Sequence, residues 1–211
     1  MSTSDVHHPF FARMYSVLSR HEPAAAGQQR VQLLSGLKGR VLELGAGSGT
    51  NFPLYPDTVT EVVAVEPERY LREKATAAAA TAPVPITVVD GIADSLPVAD
   101  GSCDAAVACL VLCSVPDQSR AVAELHRVLR PGGELRFYEH VLAHKPTIAR
   151  AQRSVDRLFW PRVFGGCRTA RDTPATIAST GFSIEDQERL WVGPKAFVPM
   201  GTHVRGIARR T

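Results

Sequence analysis

The chain has 211 residues, 45% hydrophobic and 21% charged, a composition that fits a soluble globular domain and excludes a disordered one. No apolar run approaches the ~20 residues that a transmembrane helix needs, and the opening MSTSDVHHPFF lacks the basic-then-apolar pattern of a secretory leader. Net charge is +3, and its basic excess lies between Lys145 and Arg171, where seven basic groups face Asp156 alone, so no footprint for nucleic acid over the whole chain is expected.

In chain order, residues 6–36 read as two helices broken near Pro23. Five short β-branched runs follow: 40–44, 61–66, 86–90, 103–110 and 133–139. They lack period-2 alternation, as parallel strands buried on both faces do. Between them, 67–80 is Ala-rich and helix-prone. Residues 119–129 put Val122, Leu125, Val128 and Leu129 on one stripe, and Pro131-Gly132-Gly133 stops that helix. A helix over 147–160 is expected to turn Ile148, Ala151, Val155, Leu158 and Phe159 inward and Arg150, Arg153 and Arg157 outward. A loop over 161–173, a short helix at 174–180 and two last strands, 182–191 and 195–207, complete the pattern. Their adjacency suggests an antiparallel pair at a sheet edge.

The four cysteines, Cys103, Cys109, Cys113 and Cys167, form no CxxC pair, and no His spacing completes a zinc pattern. They read as reduced thiols packed like small apolar residues, with no metal.

Val41-Leu-Glu-Leu-Gly-Ala-Gly-Ser-Gly-Thr-Asn51 couples a buried strand to a glycine-rich turn. Glycines at 45, 47 and 49 allow positive φ and close approach of a ligand to the main chain. The spacing G-x-G-x-G is not the dinucleotide fingerprint, and no P-loop is present. Glu43 before the turn suits a cationic partner better than a pyrophosphate. Glu66 ends the second strand about 20 residues on, where an acid accepts hydrogen bonds from a ribose diol.

E-L-G-A-G-S-G-T, then V-E-P, L-P-V-A-D-G-S-C-D and R-V-L-R-P-G-G-E-L resemble, in order and spacing, the motifs of class I S-adenosylmethionine-dependent methyltransferases. The resemblance spans residues 40–140. It implies an α/β, Rossmann-like, doubly wound, seven-stranded, mostly parallel sheet with an antiparallel last strand. It implies one domain: lid helices at 6–36, a cofactor core at 37–142, a lid helix and loop at 145–173, and edge strands at 181–209. By it, Glu43, Leu44, Gly45, Ala46, Gly47, Gly49 and Asn51 hold the amino-acid end of S-adenosylmethionine, with Tyr15 on the lid. Glu66 binds the ribose, and Pro67, Gly91, Ile92 and Ala93 flank the adenine. Cys109, Leu110 and Val111 lie against the methionine end. Many relatives have an acid at the place of Ile92, which leaves Asp90, Asp94 or backbone atoms for the adenine amino group.

Leu110–Val115, Glu139-His140-Val141, Trp160-Pro161, Gly166-Cys-Arg168 and Arg171-Asp-Thr173 resemble the thiol S-methyltransferases. A small-molecule thiol is therefore the expected acceptor, and a phenolic, quinone or polyketide-like O- or C-acceptor is the alternative. Methyl transfer from a sulfonium needs alignment and exclusion of water more than a strong base. His140 is the first candidate for a base or orienting group, with His7, His8 and Asp172 as others. Phe10, Phe11, Cys113, Trp160, Arg168 and Arg171 are the expected acceptor-pocket residues. The basic helix at 147–160 reads as a lid with a solvated arginine face, or as a weak peripheral membrane contact. A cytoplasmic monomer or homodimer is expected.

Overall fold

The structure, a computed structural model, describes residues 9–18, 24–193 and 201–211. Two helices, α1 (Pro9–Leu18) and α2 (Ala24–Leu34), precede β1 (Gly39–Leu44). Then come β2 (Val59–Val65), α3 (Arg69–Ala79), β3 (Ile86–Val89), β4 (Cys103–Cys109), α4 (Gln118–Val128) and β5 (Leu129–His140). The chain continues through α5 (Pro146–Leu158), α6 (Trp160–Val163), α7 (Thr173–Ser179), β6 (Phe182–Trp191) and β7 (Thr202–Arg210). The strands form one sheet in the order β3-β2-β1-β4-β5-β7-β6. Neighbours from β3 to β5 pair in parallel, and β7 runs antiparallel to both β5 and β6. This is the Rossmann-like, mostly parallel seven-stranded sheet expected from the sequence, and the antiparallel pair lies at its edge.

Alternate residues of the central strands feed two separate apolar layers, which is why the strands read as continuous apolar runs. Leu42, Leu44, Val63, Val65, Ala106, Ala108, Leu135 and Phe137 pack with α4 and α7 on one face. Val41, Val62, Ala64, Ala105, Val107 and Tyr138 pack with α2 and α3 on the other. The small alanines of β4 let the helices of both layers approach the middle of the sheet. Helix α4 begins where Asp117 accepts the amide of Arg120 at 3.0 Å, and it buries Ala121, Val122, Leu125 and Val128.

Three local expectations are corrected. Pro131-Gly132-Gly133 does not precede the fifth strand but lies inside it. The pairing slips there, from Cys103–Leu129 to Ala105–Glu134, with Gly132 at φ +74°. Leu158 and Phe159 do not face inward: they are 71% and 48% exposed, while Ala149 and Gln152 take the buried face of α5. The loop expected over 161–173 contains the short α6. Residues 194–200, where the last strand was expected to begin, lie outside the described residues.

Candidate active site

The glycine turn leaves the carboxyl end of β1. The amides of Gly45 and Ala46 both donate to the Val65 carbonyl, at 2.9 and 3.1 Å, so the turn is stitched to the end of β2. Gly45, Gly47 and Gly49 sit at φ +66°, +57° and +81°. Glu66 then reaches across: its carboxylate accepts the amide of Gly47 at 2.8 Å and that of Glu68 at 3.0 Å. Burial pushes its pKa from 4.5 up to about 7, against the pull of those two amides.

A cavity opens over these strand ends. The segments after β2 and β3 and the start of α3 line it with Glu66, Pro67, Glu68, Leu71, Ile92, Ala93 and Asp94. The ends of β1 and β4 add Leu44, Gly45, Gly47, Cys109, Leu110 and Val111, and Phe11, Tyr15, Ser114, Val115, Pro116 and Gly165 complete the lining. Leu110, at the exit of β4, holds φ +58°, a strained value for a side chain of its size. Helix α1 roofs the cavity. Tyr15 lies so close over Gly47 that a Cβ there would stand 2.8 Å from Cε1 of the ring, and Phe11 lies over Gly165 in the same way, at 2.5 Å.

The expected donor-site residues divide in two. Tyr15, Leu44, Gly45, Gly47, Glu66, Pro67, Ile92, Ala93, Cys109, Leu110 and Val111 line this cavity. Glu43, Ala46, Gly49, Asn51 and Gly91 are not among its lining residues. Glu43 is 2% exposed and points into the layer beneath α2. There it accepts from Asn51 at 2.8 Å and from the Tyr55 hydroxyl at 2.7 Å. Arg30 closes the chain by donating to Asn51 Oδ1 at 2.9 Å. Burial lifts the Glu43 pKa to about 7. Of the adenine candidates, Asp90 pairs with Arg72 at 3.1 Å, whereas Asp94 lines the cavity with Oδ1 buried and unpartnered.

On the acceptor side, Phe11 lines the cavity, while His8 and the side chain of Phe10 lie outside what the structure describes. Asp172 is exposed and caps α7, accepting from Ala175 at 3.3 Å. Arg171 donates to the Leu112 carbonyl at 2.6 Å and so braces the segment after β4. Arg168 is exposed, and its amide donates to the Cys113 carbonyl at 2.8 Å. His140, Cys113 and Trp160 meet Cys167 in a cluster that contributes nothing to the cavity lining. Glu68, Leu71, Ser114, Val115, Pro116 and Gly165 line the cavity and were not expected from the sequence. The paired glycines 165 and 166 are the sequence signal nearest to them.

A methyltransferase-domain family matches residues 42–137. Thiol S-methyltransferase TMT1B of Homo sapiens is 34% identical over 184 residues, covering 85% of this chain and 75% of its own. Thiol S-methyltransferase TMT1A of Homo sapiens is 33% identical over 209 residues, covering 95% and 84%. A solved S-adenosylmethionine-dependent methyltransferase from Mesorhizobium loti shares the fold, with a TM-score of 0.66 at 20% identity over 88% of this chain and 98% of that one. The chain belongs to the class I S-adenosylmethionine-dependent methyltransferases. The methyl donor is thus S-adenosylmethionine, and the cavity fits it on its own evidence. A buried carboxylate oxygen of Asp94, in the cavity wall, has no hydrogen-bond partner and calls for a donor such as a nucleoside base can supply. Among the described residues no helix is long and apolar enough to cross a membrane.

Proposed function

We propose that this chain transfers a methyl group from S-adenosylmethionine to the sulfur of a small-molecule thiol. The observation that carries this reading is the likeness to two human thiol S-methyltransferases over most of the chain. The apolar part of the cavity lining supports it. Phe11, Val115, Pro116 and Gly165 line the cavity with Ser114, and in this reading they form an apolar mouth for the acceptor.

In this reading Glu66 accepts from the ribose hydroxyls with the lone pairs that Gly47 and Glu68 leave free, and Asp94 accepts from the adenine amino group. Gly45 and Gly47 let the main chain approach, and Leu110 and Val111 flank the sulfonium. Bound there, S-adenosylmethionine supplies a methyl already activated for displacement. The protein's part is alignment and dryness: Tyr15 and Phe11 close the roof, and the apolar mouth removes water from the incoming sulfur. A thiol ionises near a pKa of ~8.5, so its proton can leave to solvent without a dedicated base. This agrees with a cavity whose lining includes neither His140 nor Asp172.

The test is turnover by purified protein with S-adenosylmethionine and a panel of thiols, phenols and quinones. Methyl thioether from thiols alone is expected. Turnover of a phenol or quinone, with every thiol left untouched, would overturn the thiol assignment.

A further inference from the structure

The cysteine–histidine cluster behind the cavity has a geometry that packing of three side chains does not require. Cys113 Sγ and Cys167 Sγ lie 3.7 Å apart, and His140 Nδ1 lies 3.6 Å from each. A tetrahedral zinc ion, with bonds of about 2.3 Å to sulfur and about 2.05 Å to nitrogen, holds two sulfurs about 3.8 Å apart and each sulfur about 3.6 Å from the nitrogen. All three separations match. From this triangle we propose that Cys113, His140 and Cys167 form a binding site for one thiophilic divalent cation of the zinc class.

The surroundings suit such an ion. Two thiolates and a neutral imidazole leave a divalent ion with no net charge, which burial tolerates. The cysteines are 1% and 7% exposed, and Trp160 packs against both. The ligands' backbones are fixed before any ion arrives. The amide of Cys113 donates to Glu139 at 3.0 Å, its carbonyl accepts from Arg168 at 2.8 Å, and the amide of Cys167 donates to the Phe164 carbonyl at 3.0 Å. The His140 ring rests on His203, with centroids 4.3 Å apart. Among the described residues no fourth His, Cys, Asp or Glu joins the group, so a non-protein ligand completes the tetrahedron. Ser114, whose hydroxyl lies 3.6 Å from Cys113 Sγ, is a residue of the cavity lining, so the ion would sit one residue behind that wall. The three ligands stand 27 residues apart along the chain, a spacing that matches no local zinc pattern.

Titration of the chelator-stripped, reduced full chain with Co2+ alone tests the site. One equivalent should bind, with thiolate-to-cobalt charge transfer in the near ultraviolet and visible bands of tetrahedral cobalt. Two protons should be released, and Zn2+ should displace the cobalt. Cys113→Ser and Cys167→Ser should each lose the charge-transfer band and bind at least tenfold more weakly, while Cys103→Ala should retain it. Retained binding of S-adenosylhomocysteine by the serine variants shows that they are folded. If they are not, competition between the wild-type chain and a chromophoric chelator decides by itself. Absence of the charge-transfer band with all four thiols reduced, or a zinc dissociation constant weaker than micromolar, overturns the proposal. So does isolation of the chain with Cys113 and Cys167 joined in a disulfide.

Discussion

Glu66 accepts the amide of Gly47 at 2.8 Å and thereby ties the end of β2 to the glycine turn after β1. One carboxylate both shapes the turn and faces the donor cavity. Glu66→Ala should weaken binding of S-adenosylhomocysteine about 10- to 100-fold, the worth of one or two hydrogen bonds to a charged group. Titration calorimetry measures this, and circular dichroism should show the sheet retained. Unchanged affinity would remove Glu66 from the donor site.

Gly47→Ala should cost turnover in a way that points to Tyr15. The residue holds φ +57°, and its new Cβ would stand 2.8 Å from the tyrosine ring. The strained backbone alone costs about 1–2 kcal/mol, and the displaced ring opens the roof over the cavity. A fall in kcat/KM of at least tenfold is expected, with partial recovery when Tyr15→Ala is added. No recovery in steady-state kinetics would show that the roof contact is immaterial.

Glu43 and Glu66 should each make stability fall as pH rises from about 4.5 to 7; buried Glu139 acts in the same direction, and His203, whose imidazole burial holds down at about 3, acts in the opposite one. Burial lifts Glu43 and Glu66 from 4.5 to about 7 in the folded chain. Over that window the folded state holds protons that the unfolded state has lost, so each term is fully present below pH 4.5 and gone above 7. Each shift corresponds to about 3 kcal/mol. In denaturant melts across this range the wild type should lose about 3 kcal/mol relative to Glu43→Gln as pH rises. An identical slope in the variant would refute the assignment to Glu43.

Gln152 is fully buried under the 141–143 segment. It accepts the amide of Ala143 at 2.8 Å and donates to the carbonyls of Val141 and Thr169, at 2.9 and 3.0 Å. Gln152→Leu would leave three backbone groups unpaired, a loss of about 3 kcal/mol. For a chain of this length, the melting midpoint should drop by about 6–12 °C in calorimetry.

Gln152 also shows where the sequence stops being readable. The apolar stripe Ile148, Ala151, Val155, Leu158 places the inner face of α5 by hydrophobicity, but the packed face is set by a glutamine whose partners are loop carbonyls 11 and 17 residues away. Periodicity counts apolar side chains and is blind to such partners. The strands of the core were legible because burial on both faces writes runs of Val, Ala and Leu without polar alternation. The glycine turn was legible because positive φ calls for glycine. Glu43 was legible as an unusual acid in a strand, but not in its direction. The side that it faces follows from the alternation with Val41 and from Tyr55, whose hydroxyl waits in the α2 layer. Leu110 gave no compositional sign of its left-handed backbone.

The placing of β7 orders the birth of the sheet. Every strand from β2 to β5 leaves the ribosome with a pairing partner already made, whereas β6 has β7 as its neighbour and β7 is synthesised after it. The donor half can therefore zip together while translation proceeds. The flank of β5 has no strand to pair with until β7 is made, so it stays an unpaired, aggregation-prone edge until β7 emerges and docks with β6.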